Sequence, residues 1–176
     1  GQINDKDKVH LGNGTPDFTL GLNVGFVYTG FDFSIVANGA FGQQIVQSYR
    51  NHTRPTPNYT TAILDRWHGE GTSNRIPRVT DSNINYQFSD LFIQNGDYLR
   101  LSTLTLGYDF AKLFKGKAVS QARLYFQVQN LFTITGYDGM DPEIGFGSSN
   151  NSWVSGLDYG YYPRPRTVLV GVNLKF

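Results

Sequence analysis

Three histidines, His10, His52 and His68, and the acids Asp138, Asp141 and Glu143 are the residues whose chemistry could make a reactive site. Zinc needs its ligands on one face of a helix or in an H-x-H strand, and the histidines have neither spacing. They read as scattered loop polarity. Two of the acids could form the carboxylate pair of a glycosidase, but Pro142 and the neighbouring glycines mark this stretch as a shaped turn. Zero cysteines leave no thiolate nucleophile, metal site or disulfide, and no G-x-S-x-G elbow is present. No catalytic residue is expected, and the chain reads as a non-enzyme. Aromatics remain, because sugar rings stack on Tyr and Trp faces. Trp67, Trp153, Tyr159, Tyr161 and Tyr162 are candidate solute-binding residues, and they equally suit loop packing or a membrane-interface girdle.

These residues need a scaffold, and composition limits which one. The chain has 176 residues and 19.7 kDa, with 16% charged and 15% aromatic residues, 20 glycines and a mean hydropathy of −0.34. That content excludes disorder. No stretch approaches the roughly 18 consecutive apolar residues of a membrane-spanning helix, whereas a β-barrel wall is compatible. A net charge of +1 without a basic stripe gives no footprint for nucleic acid. Gly1 carries no signal peptide, so we expect one to have been removed or the chain to begin downstream of it.

Alternation is the strongest pattern, because lipid on one side and water on the other force a strand to switch character at every residue. From Phe18 to Tyr28 the even positions are Phe, Leu, Leu, Val, Phe and Tyr, and the odd ones are mostly Thr, Gly and Asn. A tight Thr29-Gly30 turn leads to a second strand with Phe31, Phe33, Ile35 and Ala37 on one face. A third spans Tyr98 to Phe110. Its lower half alternates, but Leu99 and Leu101 are out of phase, which predicts a bulge near Ser102 or burial of those leucines against a loop. A fourth sets Leu124, Phe126 and Val128 against Tyr125, Gln127 and Gln129, and the last sets Val168, Val170, Val172, Leu174 and Phe176 against Thr167, Leu169, Gly171, Asn173 and Lys175.

The predicted fold is an all-β, antiparallel transmembrane barrel wall. Short turns at 29–30 and 111–121 should face the periplasm. Long loops at 42–97 and 136–165 should be extracellular, together with residues 1–16. Single-chain bacterial barrels have an even number of strands, about 8 or more, and this chain supplies about five. An open sheet would leave unsatisfied backbone groups in hydrocarbon at several kcal/mol each. We therefore expect the C-terminal portion of a longer barrel, completed by upstream polypeptide. Polar Asn23, Asn38, Gln127, Gln129 and Asn173 should face its interior and meet a plug or a solute.

Local words match a family. Asp97-Tyr98-Leu99-Arg100-Leu101, continuing through Leu104-Thr105-Leu106-Gly107-Tyr108, resembles a segment of SusC/RagA-like TonB-dependent outer-membrane transporters. So do Leu124-Tyr125 through Asn130-Leu131-Phe132, Tyr137-Asp138-Gly139-Met140-Asp141-Pro142-Glu143, and Tyr162-Pro163-Arg164-Pro165-Arg166-Thr167. Pro16-Asp17-Phe18 and Gly21-Leu22 also fit. The matches run in order over nearly the whole chain except 47–80. They imply the last strands of a barrel of about 22 strands. They also imply a plug that engages TonB, and a SusD-like surface lipoprotein as partner in importing glycans or peptides. The end of the chain, Val168, Val170, Val172, Leu174 and Phe176, resembles the signal by which outer-membrane proteins reach the barrel-assembly machinery.

Gly1-Gln2-Ile3-Asn4-Asp5-Lys6-Asp7 resembles the second half of a calcium loop of the D-x-D-x-D-G-x-I-x-x-x-D kind. On that resemblance the Gln2 carbonyl, Asn4 and Asp7 are candidate ligands of a structural calcium. A solvated external turn is the alternative. The expected function is energy-coupled import through the outer membrane of a Gram-negative bacterium, with the C-terminus at the periplasmic side. A passive porin-type channel and a soluble carbohydrate-binding β-sandwich are the other classes that share alternation.

Overall fold

The computed structural model describes residues 4–49, 61–80, 88–111, 119–144 and 155–176. Alternation becomes strand where it was expected. β1 (Phe18–Tyr28) and β2 (Phe31–Phe41) form a hairpin in unbroken register from Phe18↔Phe41 to Tyr28↔Phe31. Its turn places Thr29 at φ 47° and Gly30 at φ 97°. Two positive φ angles give the type I′ twist that matches paired strands, a conformation glycine takes freely and a β-branched threonine resists.

Two further strands, β3 (Gln44–Gln47) and β4 (Ile93–Asn95), precede β5 (Tyr98–Asp109), which is followed by β6 (Gln121–Thr135), β7 (Leu157–Asp158) and β8 (Thr167–Lys175). Five strands make one antiparallel sheet in the order β1–β2–β5–β6–β8. Turns or short connections join them at one end, and long segments join them at the other.

The sheet keeps two chemically different faces. On one, Leu20, Val24, Phe26, Leu106, Phe126, Val170 and Val172 are all exposed. On the other, Asp32 and Arg123 reach across β5 to form a two-pronged pair, Nε to Oδ1 at 2.7 Å and Nη2 to Oδ2 at 2.5 Å. Gly107 makes the crossing feasible, since a Cβ there would lie 2.7 Å from the Arg123 Nε and collide with the Asp32 carboxylate. Tyr125 lies over Gly171 in the same manner and receives the Arg123 guanidinium 4.9 Å from its ring centre.

Ser102 resolves the phase conflict in β5. The register slips between Val36 and Ala37 on the β2 side and between Leu101 and Thr103 on the β6 side. The extra residue turns Leu99 and Leu101 onto the face of their partners Ile134 and Phe132, both exposed. Tyr98 and Arg100 are thereby sent to the polar face. Ser102 itself donates to Asn38 Oδ1, so Asn38 serves the wall. Asn23, Gln127, Gln129 and Asn173 also lie on the polar face, where Asn23 and Asn173 are exposed and Gln127 and Gln129 half-buried.

The long segments are more regular than their composition suggested. β3 pairs antiparallel with β4 and parallel with β7, a three-stranded sheet built entirely within 42–97 and 136–165. Strands of two to four residues are too short to show alternation, so nothing in the sequence marked them. Ile45 and Gln47 of β3 are both fully buried, and the apolar Ile45 favours the packing of this small sheet. Residues 13–15 cross this sheet. Gln44 N donates to Asn13 O at 2.8 Å, Thr15 Oγ1 lies 3.1 Å from Ser155 Oγ, and Gly14 passes so close to Gly156 that a Cβ on the latter would lie 2.6 Å from its Cα. The segment before Asp17 thus sits at the same end as the long loops.

Thr29→Asn relieves the threonine's left-handed strain without touching a contact. It should stabilise the hairpin by about 1 kcal/mol, read as a higher denaturant midpoint.

Candidate functional site

Arg100 collects the polar chemistry at the loop end of the sheet. It is 3% exposed, and all three guanidinium nitrogens donate. Nε reaches Thr133 Oγ1 at 2.9 Å, Nη1 reaches Glu143 Oε2 at 2.8 Å and Nη2 reaches Asp141 Oδ1 at 2.5 Å. Asp141 is also buried. Its Oδ1 accepts from Glu143 N at 2.9 Å and its Oδ2 from Arg164 N at 3.3 Å, while Arg164 Nη2 sits 2.9 Å from Glu143 Oε1. Two cations meet two carboxylates with their hydrogen-bonding capacity largely used, the condition under which buried charge is tolerated. The four charges are mutually paired, and the cluster ties the segment after β6 to the sheet. The turn assignment of Asp141 and Glu143 agrees with this geometry.

A second cluster adjoins it. Asp158, 1% exposed, accepts from Tyr137 Oη at 2.5 Å, from Gly160 N at 2.8 Å and from Tyr161 N at 3.3 Å. Gln47 donates to Asp138 Oδ1, and Asp138 N donates to Gln94 Oε1 at 3.1 Å. Burial first, and the Asp158 carboxylate second, push the Tyr137 phenol well above its ordinary value of 10.0. A neutral phenol at every physiological pH is therefore a fixed donor to Asp158.

Asp158 also organises the chain carrying the aromatic candidates. Tyr159, Tyr161 and Tyr162 follow it on one turn and are exposed, Tyr162 most of all. Trp67 is exposed in a separate stretch, where its backbone N–H donates to Ile76 O at 2.8 Å. Trp153 lies outside the described residues. The histidines stay apart: His10 is exposed, His68 is tied to its own loop by contacts to Thr72 and Arg66, and His52 lies outside the described residues. Among the described residues no three His or acidic side chains gather as a metal site.

Two of the suggested calcium ligands, Asn4 and Asp7, flank one short turn. Asn4 Oδ1 accepts from Lys6 N at 3.0 Å and Asp7 Oδ2 accepts from Asn4 N at 2.7 Å, a reciprocal cap on the short 3-10 turn Asp5–Asp7. Gln2 lies outside the described residues. The terminal face Val168, Val170, Val172, Leu174 and Phe176 is exposed throughout.

Arg100, Arg164, Tyr137 and Asp158 had no role assigned from sequence. A signal was present for two of them, since the three quoted words carrying Arg100, Asp141 with Glu143, and Arg164 bring balancing charges. Arg100→Ala leaves two carboxylates without their central cation. It should destabilise the loop end by about 3–5 kcal/mol, seen as new proteolytic cleavage within 136–144. Tyr137 gives a pH signature. Its raised value means the unfolded phenol ionises first, so its contribution is complete below pH 10.0 and is lost as the pH climbs beyond it. Protease resistance of the loop should fall at alkaline pH, and Tyr137→Phe should flatten that fall.

No protein-family model matches the chain. TonB-dependent receptor P3 of Formosa agariphila is 35% identical over 187 residues, covering 100% of this chain and 18% of its own length. TonB-dependent receptor SusC of Bacteroides thetaiotaomicron is 30% identical over 178 residues, covering 100% of this chain and 17% of its own. Among solved structures, the RagAB peptide transporter superposes with a TM-score of 0.78 at 23% identity, over 99% of this chain and 19% of that one. The RagAB peptide importer in its open-open state gives 0.72 at 24% identity, over 92% and 17%. The chain spans less than a fifth of the length of these curated relatives. With its motif words, its sheet and its relatives in agreement, it belongs, as one segment, to the SusC/RagA-like TonB-dependent outer-membrane transporters.

Proposed function

We propose that this segment forms the last strands of the barrel wall of an outer-membrane importer, with β1–β2–β5–β6–β8 crossing the bilayer and the C-terminus on the periplasmic side. One observation carries this reading: the five-stranded sheet bears an apolar face that no second layer covers among the described residues. A soluble β-sandwich buries such a face against another sheet.

Dimensions support it. β1 has 11 residues. At about 3.3 Å per residue and a tilt near 40°, such a strand spans about 25–30 Å, the height of a barrel's apolar band. Aromatic groups frame that band, Phe18 on Phe41 at 4.9 Å at the loop end, and Phe31 on Tyr108 at 4.4 Å with Tyr108 on Phe110 at 4.6 Å at the turn end. The outer edges of β1 and β8 have no strand partner among the described residues, and in hydrocarbon such edges require neighbouring strands from the rest of the polypeptide.

On this reading the upstream polypeptide supplies the remaining strands of a barrel of about 22, the plug and the TonB contact. A SusD-like lipoprotein closes the mouth. The solute class is glycan or peptide, with SusC and the RagAB peptide importer as the relatives that motivate it. Trp67, Tyr159, Tyr161 and Tyr162 are the proposed solute contacts, and Trp153 belongs with them by type. Val168, Val170, Val172, Leu174 and Phe176 serve as the assembly signal and then as lipid-facing wall. No catalytic step is assigned to the chain.

Val170→Arg in the full-length receptor tests the lipid face. A bilayer partner predicts a loss of about 2–4 kcal/mol and little folded receptor in the outer-membrane fraction, while Gln127→Arg on the interior face is tolerated. Equal tolerance of both substitutions would refute the assignment.

A further inference from the structure

The interior face of the wall is not open at its loop end. Arg100 is paired across the sheet with Asn38 on β2 and Thr133 on β6, and so shares their face, opposite the exposed Phe132 and Ile134. Its carboxylate partners, Asp141 and Glu143, must therefore approach from that same side. The residues between β6 and Glu143 fold back over the polar face instead of continuing past the rim.

Several bonds fix both ends of this segment. Thr135 Oγ1 donates to Asp97 O at 2.7 Å and accepts from Tyr137 N at 3.1 Å. Asp138 N is held by Gln94, and Arg164 braces Glu143 from the far side. Tyr98, two residues from Arg100 on the same face, is also buried. Lifting the segment would strand a buried guanidinium, which opposes its displacement.

We propose that residues 137–144 form a fixed shelf folded into the extracellular mouth of the barrel, that Arg100 is the positioning residue holding it there, and that the shelf narrows the route taken by a solute. The inference rests on the barrel reading above. It differs from a lid in that the shelf belongs to the wall and does not move with transport. Met140 is its exposed tip.

The test uses the full-length receptor on intact cells in a cysteine-free background, with a membrane-impermeable PEG-maleimide as probe. Uptake is read as receptor-dependent growth on a tryptic digest of casein or on maltooligosaccharides. The Met140→Cys variant should be modified from outside, and modification should slow growth by about tenfold, as when the narrow part of a pore is filled. Adding Arg100→Lys, which keeps the charge but loses the fork to both carboxylates, should relieve that block while the receptor still reaches the surface. Unhindered growth after full modification overturns the shelf and leaves the importer reading intact. Failure of Met140→Cys to react on intact cells also overturns it. Modification of a Phe26→Cys variant on intact cells removes the lipid face and the barrel reading with it. Receptor-dependent growth on neither nutrient removes the importer reading and the shelf together.

Discussion

A strand has only two sides, and this protein depends on keeping one apolar and the other polar across five neighbours. A slip of a single residue in any pairing would exchange the sides, because the side-chain period is two. The hairpin β1–β2 keeps register through all its positions, and β6–β8 does so over its length. In β5 the sequence would break the rule, and Ser102 is the inserted residue that restores it. The bulge has a second consequence. By sending Leu99 and Leu101 outward it delivers Tyr98 and Arg100 inward, so the same local irregularity that preserves the apolar face also installs the cation on which the loop end is built.

That cation explains why a stretch rich in glycine, proline and polar residues is ordered. Arg100 cannot be buried alone, since desolvating a guanidinium costs several kcal/mol. Asp141 and Glu143 offset that cost, and Arg164 completes the charge balance from beyond the loop. Asp158 has no such cation among its observed partners. It is held by neutral donors, Tyr137 and two backbone N–H groups; burial first and this carboxylate second keep the phenol protonated, and the two N–H bonds give the turn bearing Tyr159, Tyr161 and Tyr162 a defined start.

The polar face uses small residues as the loop end uses charged ones. Gly107 and Gly171 are gaps through which Asp32–Arg123 and Tyr125 lean across neighbouring strands. Tilted side chains lying over glycines tie adjacent strands together beyond their backbone ladders, on a face where water would otherwise compete for each polar group. The RagAB peptide transporter shares this fold over 99% of the chain, at a TM-score of 0.78.

Much of the fold was legible because alternation is a direct imprint of a two-faced environment. Phe18–Tyr28, the Thr29-Gly30 turn, the phase error near Ser102 and the final strand could all be read from residue type and spacing alone. The family words were legible too, but not their meaning. Arg100, Asp141 with Glu143, and Arg164 are separated by about forty and about twenty residues in sequence, and nothing local shows that they meet. Nor could a two-residue strand such as Leu157–Asp158 announce itself, since it exists only because Val46 and Gln47 lie beside it. Asn4 and Asp7 make the same point, since the reciprocal cap they form on the turn between them shows only in the folded chain. Sequence by itself determined the two faces of the wall, because each residue carries its own preference for lipid or water. Only the tertiary structure decided which charges are neutralised and which way the loop folds, because those energies belong to pairs brought together by the sheet.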